Sequence, residues 1–144
     1  MVRVEHERRF SVPIEDGFAF ITDMANWPRY WPGLVRVEPG SRWHEPGDEA
    51  RVVTKLLGRE VALQMTLRTF KAPRLVEYDS RQRGLPDARH ERHFVAAESG
   101  FDYRLVVEYD PRGRLHGVYD RLVVRRGVER VLRQTTENLA AVLG

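Results

Sequence analysis

The sequence predicts an α+β protein: an antiparallel sheet with a long C-terminal helix and two short helices after the first strand. Three observations predict it. Residues from Leu34 to about Asp110 alternate apolar and polar side chains over several consecutive runs, the pattern of strands with one dry face and one wet face. Residues from about His116 to Leu143 change to an apolar stripe at helical spacing, Val124, Val128, Val131, Leu132, Thr135, Leu139 and Val142, which marks a helix lying on that sheet. Between the first strand and the sheet, "SVPIEDGFAFITD" and "NWPRYWPG" read as a helix followed by a short helical turn.

Each element has a local reason. Val2 to Ser11 alternates loosely and reads as a strand. Pro13 then opens a helix where a missing N–H costs nothing, with Glu15 and Asp16 favourably placed in its first turn. Phe18, Phe20 and Ile21 are its apolar residues, and it ends by Asp23. Pro32 and Gly33 stop the turn that follows. In the sheet, Phe101, Tyr103, Leu105, Val107 and Tyr109 make one dry face, and Val61, Leu63, Met65 and Leu67 another. A turn with Gly58 first suits a two-residue hairpin that pairs Leu57 with Glu60. Val52, Thr54 and Leu56 then face inward, opposite Met65, Leu63 and Val61. A turn at "AESG" pairs Ala96 with Phe101, Phe94 with Tyr103, Arg92 with Leu105 and His90 with Val107. A loop "GLPDA" sets Tyr78 opposite Phe94, Ser80 opposite Arg92 and Gln82 opposite His90. Gly127, beside the helical stripe, reads as a point of close packing or as room for a ligand.

Composition excludes several functions. The chain has 144 residues, 42% hydrophobic and 31% charged, and fits one domain over residues 1–144 with a sizeable core. It contains no cysteine, so disulfide, thiolate and zinc–cysteine chemistry are excluded. The charged, alternating start "MVRVEHERRF" is not a signal peptide, and no apolar run reaches the roughly 18 residues that span a bilayer. A cytoplasmic location without an integral membrane segment is expected. The net charge is only +3, from 24 basic and 21 acidic residues with interleaved signs. Arg121, Arg125, Arg126, Arg130 and Arg133 are interrupted by Asp120, Glu129 and Glu137, which reads as a solvated helix face rather than a nucleic-acid groove.

G-x-S-x-G, P-loop, G-x-G-x-x-G and H-E-x-x-H motifs are absent. "HERH" at 90–93 puts His90 and His93 on opposite faces of a strand, so no metal site is expected and no cofactor is implied. The middle strands are more informative. Their inferred inner face carries Tyr78, Ser80, Gln82, His90 and Arg92, and polar groups there are costly unless paired or wetted. They line either a ligand cavity or an exposed end of the sheet.

The order of elements, carried by "SVPIEDGFAFITDMANWPRYWPGLVRVE", "FKAPRLVEY", "SGFDYRLVVEYD" and "GRLHGVYDRLVV…TTENLAAVL", resembles the helix-grip fold of the START-like and SRPBCC superfamily. That group includes polyketide cyclases and aromatases, lipid-transfer domains, coenzyme Q-binding proteins and plant allergens. The resemblance spans nearly the whole chain, and it offers no family-wide catalytic motif to carry over. It implies a curved sheet that grips the long helix around a cavity. Trp27, Tyr30 and Trp31 would cap one end of that cavity, or else plug the core. Tyr78, Ser80, Arg92, Tyr103, Tyr119 and Val128 are the other expected ligand contacts. The leading expectation is a module that binds or transports a small hydrophobic molecule such as a lipid, polyketide or isoprenoid. The alternative is a polyketide cyclase or aromatase-like enzyme, with His90 as base, Arg92 as oxyanion donor and Tyr103 as proton shuttle. A protein-interaction module is a further alternative, distinguished by a filled interior and an apolar patch elsewhere. Oligomeric state is not legible from the sequence.

Overall fold

The computed structural model describes residues 1–56, 58–112 and 117–144, without the side chains of Leu56, Val118 and Tyr119. In chain order the elements are β1 (Val2–Phe10), α1 (Ile14–Thr22), a 3-10 turn (Met24–Asn26), α2 (Trp27–Tyr30) and β2 (Leu34–Val37). They continue with β3 (Glu49–Leu56), β4 (Arg59–Lys71), β5 (Leu75–Gln82), β6 (Ala88–Ala97), β7 (Gly100–Tyr109) and α3 (Gly117–Leu143). The strands form one antiparallel sheet in the order β1-β7-β6-β5-β4-β3-β2. Six strands therefore run as a meander. β1 closes it by pairing with the last strand, Val2 opposite Tyr109 and Phe10 opposite Phe101.

Faces match the sequence reading, while two registers differ from it. β6 and β7 pair as expected, with Phe94 opposite Tyr103, Arg92 opposite Leu105 and His90 opposite Val107. The ladder also gains Ala97 opposite Gly100, so the turn tightens to Glu98 and Ser99. Between β3 and β4 the ladder is offset by two residues. Lys55, not Leu57, lies opposite Glu60, and Val52 faces Leu63. The pair Leu56–Arg59 brackets positions 57 and 58, so Gly58 (φ +78°) closes the turn rather than opening it. Leu57 itself lies outside the described residues. Between β5 and β6 the offset is four residues: Tyr78 lies opposite His90, Val76 opposite Arg92 and Ser80 opposite Ala88. The physical reason is common to both. Alternation specifies which side chains face inward, and an even-numbered slip preserves every face. Turn position is set by loop geometry that alternation does not encode.

α1 opens at Pro13, as expected, and carries Glu15 and Asp16 in its first turn. Its C-terminal carbonyls, which no helical N–H can reach, are satisfied from the next segment. Asn26 donates to the Phe20 carbonyl at 3.1 Å, and Trp27 Nε1 and the Tyr30 hydroxyl both donate to the Ile21 carbonyl, at 3.1 and 2.6 Å. The aromatic turn is thereby locked to α1. α3 crosses the inner face of the sheet and touches α2, where Asn138 Nδ2 donates to the Tyr30 carbonyl at 2.9 Å. Leu132, Thr136 and Leu139 are its buried residues among those described. Val131, expected in the inward stripe, is exposed. One position on, Leu132 already occupies the centre of the stripe, and a step of about a hundred degrees turns Val131 away. The expected helix start at His116 lies outside the described residues.

The core divides along the strands. One end is filled by rings: Phe10 stacks on Phe101 at 5.5 Å, and Phe18 meets the edges of Phe70 and Phe94 at 5.3 and 4.9 Å. The outer face of the sheet is charged and paired, with Arg9 bonded to Asp102 at 2.8 Å, Arg68 to Asp79 at 2.5 Å, and Arg3 to Glu108.

Candidate functional site

Beyond the phenylalanine plug, the inner face of β5 and β6 becomes polar, while that of β7 stays largely apolar. Along β6 the inward residues are Phe94, Arg92, His90 and Ala88. Phe94 is fully buried and the other three are half-buried. The strand periodicity of two puts them in one row. Tyr78 and Ser80 of β5 lie beside them, and Tyr103 of β7 flanks the row on the other side.

These side chains contact one another. The His90 ring stacks on Tyr78 with centroids 4.4 Å apart and planes inclined by only 5°. His90 Nε2 lies 2.8 Å from Ser80 Oγ. Its Nδ1 is buried with no partner among the described residues. Arg92 donates to the Tyr78 hydroxyl at 3.1 Å and to the Glu91 carbonyl at 3.2 Å, and its guanidinium lies 5.6 Å from the centre of the Tyr78 ring. Burial, and after it the neighbouring Arg92 charge, hold His90 well below the ordinary histidine pKa, so the ring is neutral at pH 7. Burial likewise raises the phenols of Tyr103, Tyr78 and Tyr30, which therefore stay protonated.

The aromatic turn joins the same cluster. Trp27 packs at 5.5 Å against Trp31 and at 5.6 Å against Trp43. Trp43 in turn meets the edge of Tyr78 at 5.3 Å, so a chain of rings runs from the turn to His90. Trp27 and Tyr30 are buried; Trp31 is half-buried. Trp43 was not among the expected residues. The signal was a large apolar side chain alone in the polar stretch "GSRWHEPGD", which has to find a buried place somewhere.

The N-terminal half of the helix buries little of itself. From Asp120 to Val131 no described residue of α3 is fully buried, whereas Leu132, Thr136 and Leu139 are. Val128 is half-buried against the core. Arg125 precedes Leu132 by seven residues, on the same helical stripe, yet it is exposed and pairs with Glu129 at 3.2 Å. Val61, Leu63 and Gln82 are half-buried at the polar end of the sheet. The side chain of Tyr119 lies outside the described residues. Gly127 is not explained by close packing, since a Cβ there would meet nothing within 4 Å. Among the described residues, no three His, Asp or Glu side chains converge to hold a metal, and no helix is long and apolar enough to cross a membrane.

A seven-stranded antiparallel sheet around a C-terminal helix, with short helices after the first strand, is the helix-grip arrangement. The whole chain, residues 1–144, matches the family described as polyketide cyclase / dehydrase and lipid transport, and the protein belongs to it. Solved structures share the fold at low identity. A protein of Rhodobacter sphaeroides superposes with a TM-score of 0.77 at 18% identity, over 98% of this chain and 91% of its own. A protein of Thermus thermophilus gives 0.75 at 18%, over 99% of this chain and 100% of its own. The di-domain ARO/CYC StfQ from the steffimycin biosynthetic pathway gives 0.77 at 16%, over 99% of this chain and 50% of its own. No curated protein matches the sequence.

Proposed function

We propose that residues 1–144 form one ligand-binding domain, which holds a small hydrophobic molecule between the inner face of the sheet and the N-terminal half of α3. The observation that supports this reading is the change in filling along the interior. The phenylalanine end is closed, while Arg92, His90 and Ala88 are only half-buried and the N-terminal half of α3 buries no described residue fully. An apolar wall with a few convergent polar groups is how ligand sites are built. The tyrosines, His90 and Arg92 would orient the ligand, and Trp31, half-buried at the end of the aromatic turn, would cover it. Native mass spectrometry of the purified protein should show one co-purified amphiphile, or thermal shift with an amphiphile panel should show stabilisation. Neither mass shift nor stabilisation, together with a side-chain-filled interior in a crystal, would sink the proposal.

One observation favours catalysis as a second reading. His90 is held neutral, carries a ring nitrogen with no partner among the described residues, and sits beside the Arg92 cation on the same face. A base next to a cationic donor is what enolisation and ring closure of a poly-β-ketone require. His90→Ala and Arg92→Ala should then each lower turnover of such a substrate by roughly a hundredfold or more. Unchanged turnover would remove both residues from the chemistry.

A further inference from the structure

The interior holds a positive charge that its own face does not balance. Arg92 lies on the inner face of β6, between Val76 of β5 and Leu105 of β7. The inward positions of these three strands are Val76, Tyr78, Ser80, Gln82; Ala88, His90, Arg92, Phe94; and Phe101, Tyr103, Leu105, Val107, Tyr109. None is a carboxylate. The acids nearest along the strands, Glu77, Asp79 and Glu91, face the other way, and two of them are already engaged. Asp79 pairs with Arg68 at 2.5 Å, and Glu91 pairs with His93 at 2.8 Å. A guanidinium keeps its proton at any pH the fold survives, and it has more N–H donors than its bonds to Tyr78 and Glu91 use. Tyrosine hydroxyls and a neutral imidazole solvate this cation without neutralising it. A half-buried charge lacking a counter-charge still carries a desolvation cost, and a bound anion would offset it.

A second observation points the same way. His90 Nδ1 is a buried polar atom with no partner among the described residues, on the same strand face as Arg92 and two residues from it. When Nε2 accepts from the Ser80 hydroxyl, Nδ1 carries the ring proton and can donate it to an acidic group held by Arg92.

We infer, on the ligand-binding reading proposed above, that the molecule taken up is an amphiphilic acid whose carboxylate pairs with Arg92. The fork of the guanidinium matches a carboxylate geometrically, and the pairing is strong in a site screened from water. Acid and methyl ester of the same skeleton differ in this one group, so they isolate it. Delipidated protein would be titrated with dodecanoic acid and its methyl ester, and with pyrenebutyric acid and its methyl ester, as an aliphatic and a flat aromatic pair. In at least one pair the acid should bind roughly tenfold tighter or more than the ester. Arg92→Met should abolish that preference, and Arg92→Lys should keep part of it. Esters that bind as tightly as the acids overturn the inference and leave ligand binding standing. Failure of all four probes also overturns it, while the mass spectrum of co-purified ligand judges the binding reading separately. The acid–ester comparison needs only the wild-type chain, so it remains decisive if Arg92→Met fails to fold.

Discussion

Trp27 and Trp31 stand four residues apart and carry different loads. Trp27 is 3% exposed and its indole N–H is committed to the Ile21 carbonyl; Trp31 keeps part of its surface open. Trp27→Ala should therefore cost about 3–5 kcal/mol in urea melts, and Trp31→Ala roughly 1–2 kcal/mol. Equal losses would make Trp31 core packing and end its assignment as a cover for the ligand. His90 gives a pH prediction. Its native pKa lies well below the ordinary value of 6.5, through burial and then the Arg92 charge, and His6 is lowered in the same direction, through burial and then Arg133. Below pH 6.5 the unfolded chain takes up protons that the folded chain refuses, so stability falls as pH drops through that window. Above it both states are neutral and the slope vanishes. His90→Gln should flatten the decline between about pH 6.5 and 5. A wild-type stability that stays level over that range would contradict a neutral, half-buried His90.

α3 is an element with two halves. Its C-terminal half is pinned by Leu132, Leu139 and the fully buried Thr136, whose hydroxyl lies 2.8 Å from His6 Nε2 and donates to the Arg133 carbonyl at 2.9 Å. Thr136→Val keeps the volume and strands His6, so it should cost about 1–2 kcal/mol. Its N-terminal half tolerates change. Gly127→Ala meets no neighbour and gains helix propensity, and should stabilise by about 0.5–1 kcal/mol. The glycine of α1 behaves oppositely. A Cβ at Gly17 would lie 2.2 Å from a Phe101 ring carbon, so Gly17→Ala should destabilise by at least about 1–3 kcal/mol. If chemical denaturation ranks the two alanine variants the other way, the packing described for both helices is wrong.

At the scale of the whole molecule, ligand binding and stability are one equilibrium. A ligand that binds only the folded chain, at about a hundred times its dissociation constant, adds about 2.7 kcal/mol. For a chain of this length that corresponds to a rise in Tm of roughly 5–10 °C. The expected pattern in a thermal melt is a rise of that size with an amphiphilic acid and about half of it or less with its ester at the same concentration. The paired charges of the outer face, among them Arg9–Asp102 and Arg68–Asp79, are exposed and contribute little each. Added salt should accordingly leave the unliganded Tm nearly unchanged.

The sequence by itself determined the faces. Phe101, Tyr103, Leu105, Val107 and Tyr109 alternate too regularly to face any way but inward, and all five are buried. The same parity placed Tyr78, Ser80, His90 and Arg92 on one inner face, and with the order of elements it made the helix-grip fold legible. Only the tertiary structure decided what those residues touch. Tyr78 stacks on His90 rather than facing Phe94, because the β5–β6 ladder slips by four residues and parity cannot detect an even slip. Trp43 joins the cluster from a connection with no periodicity to read. Val131 turns outward because a wide stripe of valines and leucines does not say which of two neighbours meets the sheet. Local alternation is a property of the chain alone, whereas contacts between distant strands depend on where each turn closes, and that is settled when the sheet assembles.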